Sequence, residues 1–109
     1  MTWDAALHSE LNRIAEAITA ILPKSKVVLF GSYARGQQGP WSDLDLAVIA
    51  SELPERKLIM MDIIRIAIID KTDKPVDILV YREDEFEQKS QKRSMLAYTI
   101  KNEGVVLNA

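Results

Sequence analysis

Three aspartates in this chain stand where acidic residues are least expected. Asp43 and Asp45 flank Leu44 at the head of an apolar run, LDLAVI, and Asp77 is the second residue of another, VDILV. Strand side chains alternate between faces, so Asp43 and Asp45 point the same way from attachment points about 6–7 Å apart. That spacing lets carboxylate oxygens bracket two metal ions about 3.5–4 Å apart, the geometry of in-line displacement at phosphorus. Two like charges held about 4 Å apart repel by about 4 kcal/mol at an effective dielectric constant near 20. A cation relieves that repulsion, and hard oxygen donors suit Mg2+, which keeps several waters and shares substrate phosphates. Flanked by apolar residues, Asp45 and Asp77 read as buried strand acids, which do not persist unpaired.

A complement lies upstream. Gly31 and Ser32 follow the run KVVLF and open the segment SYARG. If that segment starts a short helix, its free N–H groups and positive end make an anion site. Ser32 adds a hydroxyl, and Gly31 permits close approach to the backbone. Arg35, about one turn on, can grip a phosphate bidentately or pair with an aspartate. A phosphate cradle facing a metal-binding acidic cluster is what nucleotidyl transfer from a nucleoside triphosphate requires, with the third carboxylate able to take the attacking hydroxyl's proton.

The surrounding elements must bring these residues together. Leu7, Leu11, Ile14, Ile18 and Ile21 form the stripe of an amphipathic helix over 4–22, ended by Pro23. KVVLF (26–30), LDLAVI (44–49) and PVDILV (75–80) read as strands. PERKLIMMDIIRIAIID (54–70) reads as a well-buried helix with Pro54 at its first position. The rest predicts one or two helices, stopped by Gly104 as a C′ residue, and the pairing of GVVL is open. If strands 44–49 and 76–80 run parallel, with helix 54–70 as a right-handed crossover, Asp77 lands beside Asp43 and Asp45. The 11 residues between Gly31 and Asp43 then bring the end of strand 26–30 to the same corner. This order predicts an α/β (α+β) fold in one domain, 1–109, with a core at about 26–82 and a helical segment at about 83–104.

Composition narrows the function classes. Cysteine is absent, which removes disulfides and thiolate metal sites. The net charge of −2 argues against broad electrostatic contact with nucleic acid. With no apolar run of about 20 residues and no signal-peptide pattern in MTWDAALHSELNR, no membrane contact and a cytoplasmic location are expected.

The stretch LFGSYARGQQGPWSDLDLAVI, with VDILV downstream, resembles the polymerase-β-type nucleotidyltransferase superfamily: hydrophobic-Gly-Ser, a spacer, then Asp-x-Asp between apolar residues. The short chain and the wording GSYARG…SDLDL resemble the minimal nucleotidyltransferases, antitoxins paired with HEPN-type toxins. The resemblance spans about residues 26–107. It implies a nucleotidyltransferase fold, a small mixed β-sheet with helices packed on it. By residue it implies Gly31, Ser32 and, more weakly, Arg35 for the triphosphate, Asp43 and Asp45 for metals, and Asp77 as third carboxylate, metal ligand and base. The implied cofactor is Mg2+ as two ions, the substrate ATP, and the product an AMP-modified hydroxyl, a tyrosine of the HEPN toxin. Alternatives are an antitoxin that acts by binding alone, and a catalytic subunit acting on a small-molecule alcohol.

Other residues have plainer readings. Trp3 is a packing anchor, His8 lies at the surface, Arg65 is ion-paired or snorkelling, and Met60 and Met61 fill core. Trp41, beside Pro40 at a loop tip, is open to stacking on a base or to a partner. Helix 54–70 is so apolar that one face suits a partner or a second copy, making a homo-oligomer an expectation.

Overall fold

The structure, a computed structural model, describes residues 3–108. The predicted stripe becomes α1 (Ala5–Ile21), which buries Leu7, Leu11, Ile14, Ala15 and Ile18. Asp4 caps it by accepting the Leu7 N–H at 2.8 Å. There follow β1 (Ser25–Phe30), α2 (Gly31–Ala34), β2 (Leu44–Ala50), α3 (Lys57–Ile68), β3 (Val76–Arg82), α4 (Glu83–Lys89), α5 (Leu96–Glu103) and β4 (Val105–Val106).

The strands form one mixed sheet in the order β3-β2-β1-β4. β2 and β3 run parallel, joined through α3, while β1 lies antiparallel to both β2 and β4. Helices cover both faces. On one, Val27, Leu29, Leu44, Leu46, Val48, Ile78 and Val80 pack with side chains of α1 and α3. On the other, Val28, Phe30, Ala47, Ile49 and Tyr81 meet Phe86 of α4 and Ala97 and Ile100 of α5. Both inner strands are therefore apolar on both sides, which explains their unbroken hydrophobic runs.

Two boundaries differ from the sequence expectation. α3 starts at Lys57, after an extended Arg56 at φ −62°, ψ 155°, so Pro54 precedes the helix instead of opening it. Gly104 does end α5, but in an extended conformation at φ −73°, not the left-handed one of a C′ glycine. Glycine is needed there for space: a Cβ would overlap the Ile100 carbonyl oxygen and the Val28 side chain.

Glu85 ties the two helical layers across the sheet edge. It accepts hydrogen bonds from Lys57 at the start of α3 and from Lys89 at 2.9 Å. It also reaches back to the Arg82 N–H at 3.3 Å. Burial alone would raise its carboxyl, but the hydrogen bonds from Lys57, Lys89 and Arg82, with the Lys57 charge, bring it down to about 2. A depressed folded-state value stabilises above the ordinary 4.5 and is lost as pH falls from there toward about 2. Urea midpoints should therefore fall more steeply for wild type than for Glu85→Gln across that window. Equal slopes would show that the cluster does not support the fold.

Candidate active site

The strand register assembles the site. Asp45 stands directly opposite Asp77 in the parallel β2–β3 ladder, and opposite Phe30 in the antiparallel β1–β2 ladder. Gly31 follows Phe30, so the glycine-serine turn and the two strand carboxylates meet at one corner. The Leu44 N–H donates to the Pro75 carbonyl at 2.9 Å, extending the β2–β3 pairing up to Asp43. Lys74, just before β3, is held by Glu10 of α1 at 2.6 Å, which fixes the entry to the strand carrying Asp77. The parallel pairing and the convergence on one corner are as the sequence predicts.

The expected burial is not found. Asp43 and Asp77 are exposed and Asp45 is half-buried. By alternation, Asp45 and Asp77 project on the face of Ala47, Ile49, Leu79 and Tyr81, the face carrying α4 and α5. Those helices bury Phe30, the neighbour of Asp45 on β1, but leave Asp77 on β3 exposed. The apolar flanks that suggested burial belong to the opposite face or lie further along the strands.

Even so, the charges are felt. Burial, then the neighbouring Asp77 and Asp43 charges, raise the Asp45 carboxyl above its ordinary value, and Arg35 opposes this. Among the described residues, no three His, Cys, Asp or Glu side chains gather closely enough to cage an ion by themselves. The donor set still fits Mg2+, which takes one or two carboxylates together with substrate phosphates. The negative charge concentrated on Asp45 is of the sign and hardness that such an ion relieves.

The cradle is a single turn. α2 starts at Gly31 with φ 76°, a left-handed value that favours glycine. The same residue makes room for the acid, because a Cβ there would overlap the Asp45 carboxylate. Ser32 lies half-buried in the first turn, whose N–H groups have no intrahelical acceptors. One turn carries little macrodipole, so the free N–H groups are what it offers an anion. Arg35 is exposed and donates from Nε to Gln37 at 3.2 Å; among the described residues no aspartate forms an ion pair with it.

Two positioning contacts escape sequence reasoning. Trp3 is buried as an anchor, and its indole N–H also donates to the Tyr33 carbonyl at 2.7 Å, pinning α2 from behind. A buried tryptophan needs an acceptor, which is the signal that could have raised the question. The Glu10–Lys74 pair spans 64 residues and has no sequence signal. Trp41, 93% exposed, stands on a loop closed by Ser42, whose Oγ accepts the Gly39 N–H at 2.9 Å.

Comparison with known proteins identifies the domain. Residues 11–106 match the family model of the nucleotidyltransferase domain. A Methanocaldococcus jannaschii protein, named as a candidate protein adenylyltransferase, is 43% identical over 44 residues, which is 40% of this chain and 30% of that protein's length. Among solved structures, a chain of a toxin–antitoxin complex with AMP-PNP superposes with a TM-score of 0.60 at 24% identity, over 89% of this chain and 71% of that one. A chain from the complex of a tri-AMPylated Shewanella oneidensis HEPN toxin with its MNT antitoxin gives 0.58 at 22% identity, over 90% and 68%. A Sulfolobus solfataricus structure assigned to the nucleotidyltransferases gives 0.55 at 20%, over 95% and 86%. At these identities the superpositions establish the fold.

Gly31 provides a test of how the corner is built. Gly31→Ala strains a left-handed backbone by about 1–2 kcal/mol and pushes the Asp45 carboxylate aside. Its melting temperature should drop by roughly 4–10 °C. Gly39→Ala, whose added Cβ meets nothing within 4 Å, should melt with wild type. If both variants melt together, the close approach of Gly31 to Asp45 does not constrain the fold.

Proposed function

This chain belongs to the nucleotidyltransferase domain family, and on that premise we propose that it transfers AMP from ATP to a hydroxyl of a partner protein, acting as the antitoxin of a HEPN-type toxin whose tyrosine is the acceptor. The observation that carries the reading is the register placing Asp45 opposite Asp77 and beside the Gly31-Ser32 turn. The names of the relatives support the acceptor class: one is a candidate protein adenylyltransferase, and another is an MNT antitoxin complexed with an AMPylated HEPN toxin.

Each residue then has a task. The N–H groups of the Gly31–Ser32 turn and the Ser32 hydroxyl bind the triphosphate, and Arg35 adds a charged hydrogen bond from its exposed position. Asp43, Asp45 and Asp77, together with the substrate phosphates, would hold Mg2+ as two ions, which would neutralise the phosphates and lower the proton affinity of the acceptor hydroxyl. Asp77, exposed at the strand end, accepts the proton of that hydroxyl. The hydroxyl oxygen forms its bond to the α-phosphorus, the bond from that phosphorus to the β-phosphate bridging oxygen breaks, and pyrophosphate leaves with the electron pair. The open sheet face in front of the aspartates admits an acceptor as large as a protein side chain on its own backbone.

The test is labelled ATP with Mg2+ and the HEPN-type protein. Asp77→Asn should lower label transfer by roughly 10²–10⁴-fold, and Asp43→Asn/Asp45→Asn should abolish it. Because Asp43 and Asp77 are exposed, Asp77→Asn should keep its stability within about 0.5 kcal/mol of wild type. Chelation should stop the reaction and added Mg2+ restore it. Wild-type labelling by the double variant would refute the assigned chemistry. Full neutralisation of the toxin by that variant would favour an antitoxin that works by binding alone.

A further inference from the structure

Among the described residues, none covers the outward face of α3. Met60, Ile64 and Ile68 point into the core. Leu58, Ile66 and Ile69 are 76%, 71% and 73% exposed, and Ile59 and Ile63 are open as well. These residues are ordered along the helix. Leu58, Asp62, Arg65 and Ile69 follow one another at spacings of four, three and four, which stacks them in a single stripe, with Ile59 and Ile66 along one flank. Read in reverse, the spacing is unchanged, and the chemistry runs apolar, basic, acidic, apolar.

That symmetry identifies an occupant. Two copies of α3 laid antiparallel about a two-fold axis between Ile63 and Ile64 bring Leu58 against Ile69 of the partner subunit. Asp62 then meets Arg65 of the partner subunit, and Ile59 comes within one helical turn of the partner's Ile66 on the same flank. An isologous contact must be self-complementary in this way, whereas a different protein would place no such demand on the order of the charges. We propose that the Leu58–Asp62–Arg65–Ile69 stripe is a self-association surface whose partner is a second copy of this chain. Within one chain Arg65 and Asp62 pair at 3.3 Å while 50% and 75% exposed. Exchanging that pair across the axis contributes register more than affinity. One helix pair buries less than the roughly 1,200–2,000 Å² of a standard interface, so the dimer is concentration-dependent.

The two functions do not compete for space. α3 packs on the sheet face opposite Asp45 and Asp77, so association leaves both carboxylate corners open. The inference is independent of the proposed chemistry, and AMP transfer is not its readout.

Sedimentation velocity over micromolar to millimolar concentrations tests it. The wild-type mass should climb from 12.3 kDa toward twice that value. Asp62→Arg alone and Arg65→Asp alone set like charges against each other across the axis, and each should weaken the dimer at least about tenfold. The exchange Asp62→Arg/Arg65→Asp should restore the wild-type dissociation constant. All three changes are at exposed positions, and circular dichroism should confirm folding in each. A wild type that stays at 12.3 kDa throughout overturns the proposal, as does a double variant no better than the singles. Protection of α3 only when a different protein is added overturns it too, and assigns the face to that partner.

Discussion

Two carboxylates facing each other across a parallel ladder repel, and the rest of the fold must hold them there. Adjacent strands lie about 4.8 Å apart, so Asp45 and Asp77 cannot separate without breaking the sheet. What prevents that is the other face. Leu44, Leu46, Val48, Val76, Ile78 and Val80 all turn into the core beneath α1 and α3. A slip of one residue would carry the β3 members of that set to the wrong side. The apolar register thus stores an electrostatic cost at a chosen place, the open end of the opposite face.

That division of labour explains how much could be read beforehand. The helix–strand alternation, the parallel β2–β3 pair and the convergence of Gly31, Asp45 and Asp77 are written in periodicity and in a few punctuating residues. Gly31, Asp45 and Asp77 carry local signals, a glycine after a strand and acids inside apolar runs. What was illegible depends on contacts distant in the chain. Nothing near Lys74 announces that Glu10 will hold it, and nothing in VV announces that Val105 and Val106 will pair with β1. The exposure of Asp77 departs from expectation for a related reason: neighbouring residue types show that a strand is apolar, but not where its covering helices stop. Gly104 shows the same limit, since a glycine after a helix does not say whether it serves a left-handed turn or the closeness of Val28.

The sheet also keeps its two duties apart. One face, closed by α1 and α3, supplies packing, and its outermost helix turns an ordered apolar stripe outward. The other is closed by α4 and α5 as far as Phe30, and leaves Asp43 and Asp77 exposed. Trp3 and the Glu10–Lys74 pair reach from the packing layer to the Gly31 turn and to β3, the strand of Asp77. The corner is therefore held by rigid neighbours, although its own residues lie close to solvent.

β1's outer edge has a different kind of ending. β4 pairs with it for only two residues, Val105 opposite Leu29 and Val106 opposite Val28, and the Leu107 N–H adds one bond to the Val27 carbonyl. Beyond that the main chain gives way to a side chain. The Asn108 amide accepts from the Val27 N–H and donates to the Ser25 carbonyl, each at 2.8 Å. A strand edge with free N–H and C=O groups is a template on which another chain can crystallise as a further strand. Here the last rung is made by a side-chain amide whose carbonyl and amino groups are both turned to β1, so along Ser25–Val27 the ladder is terminated as polymer growth is by a capped monomer.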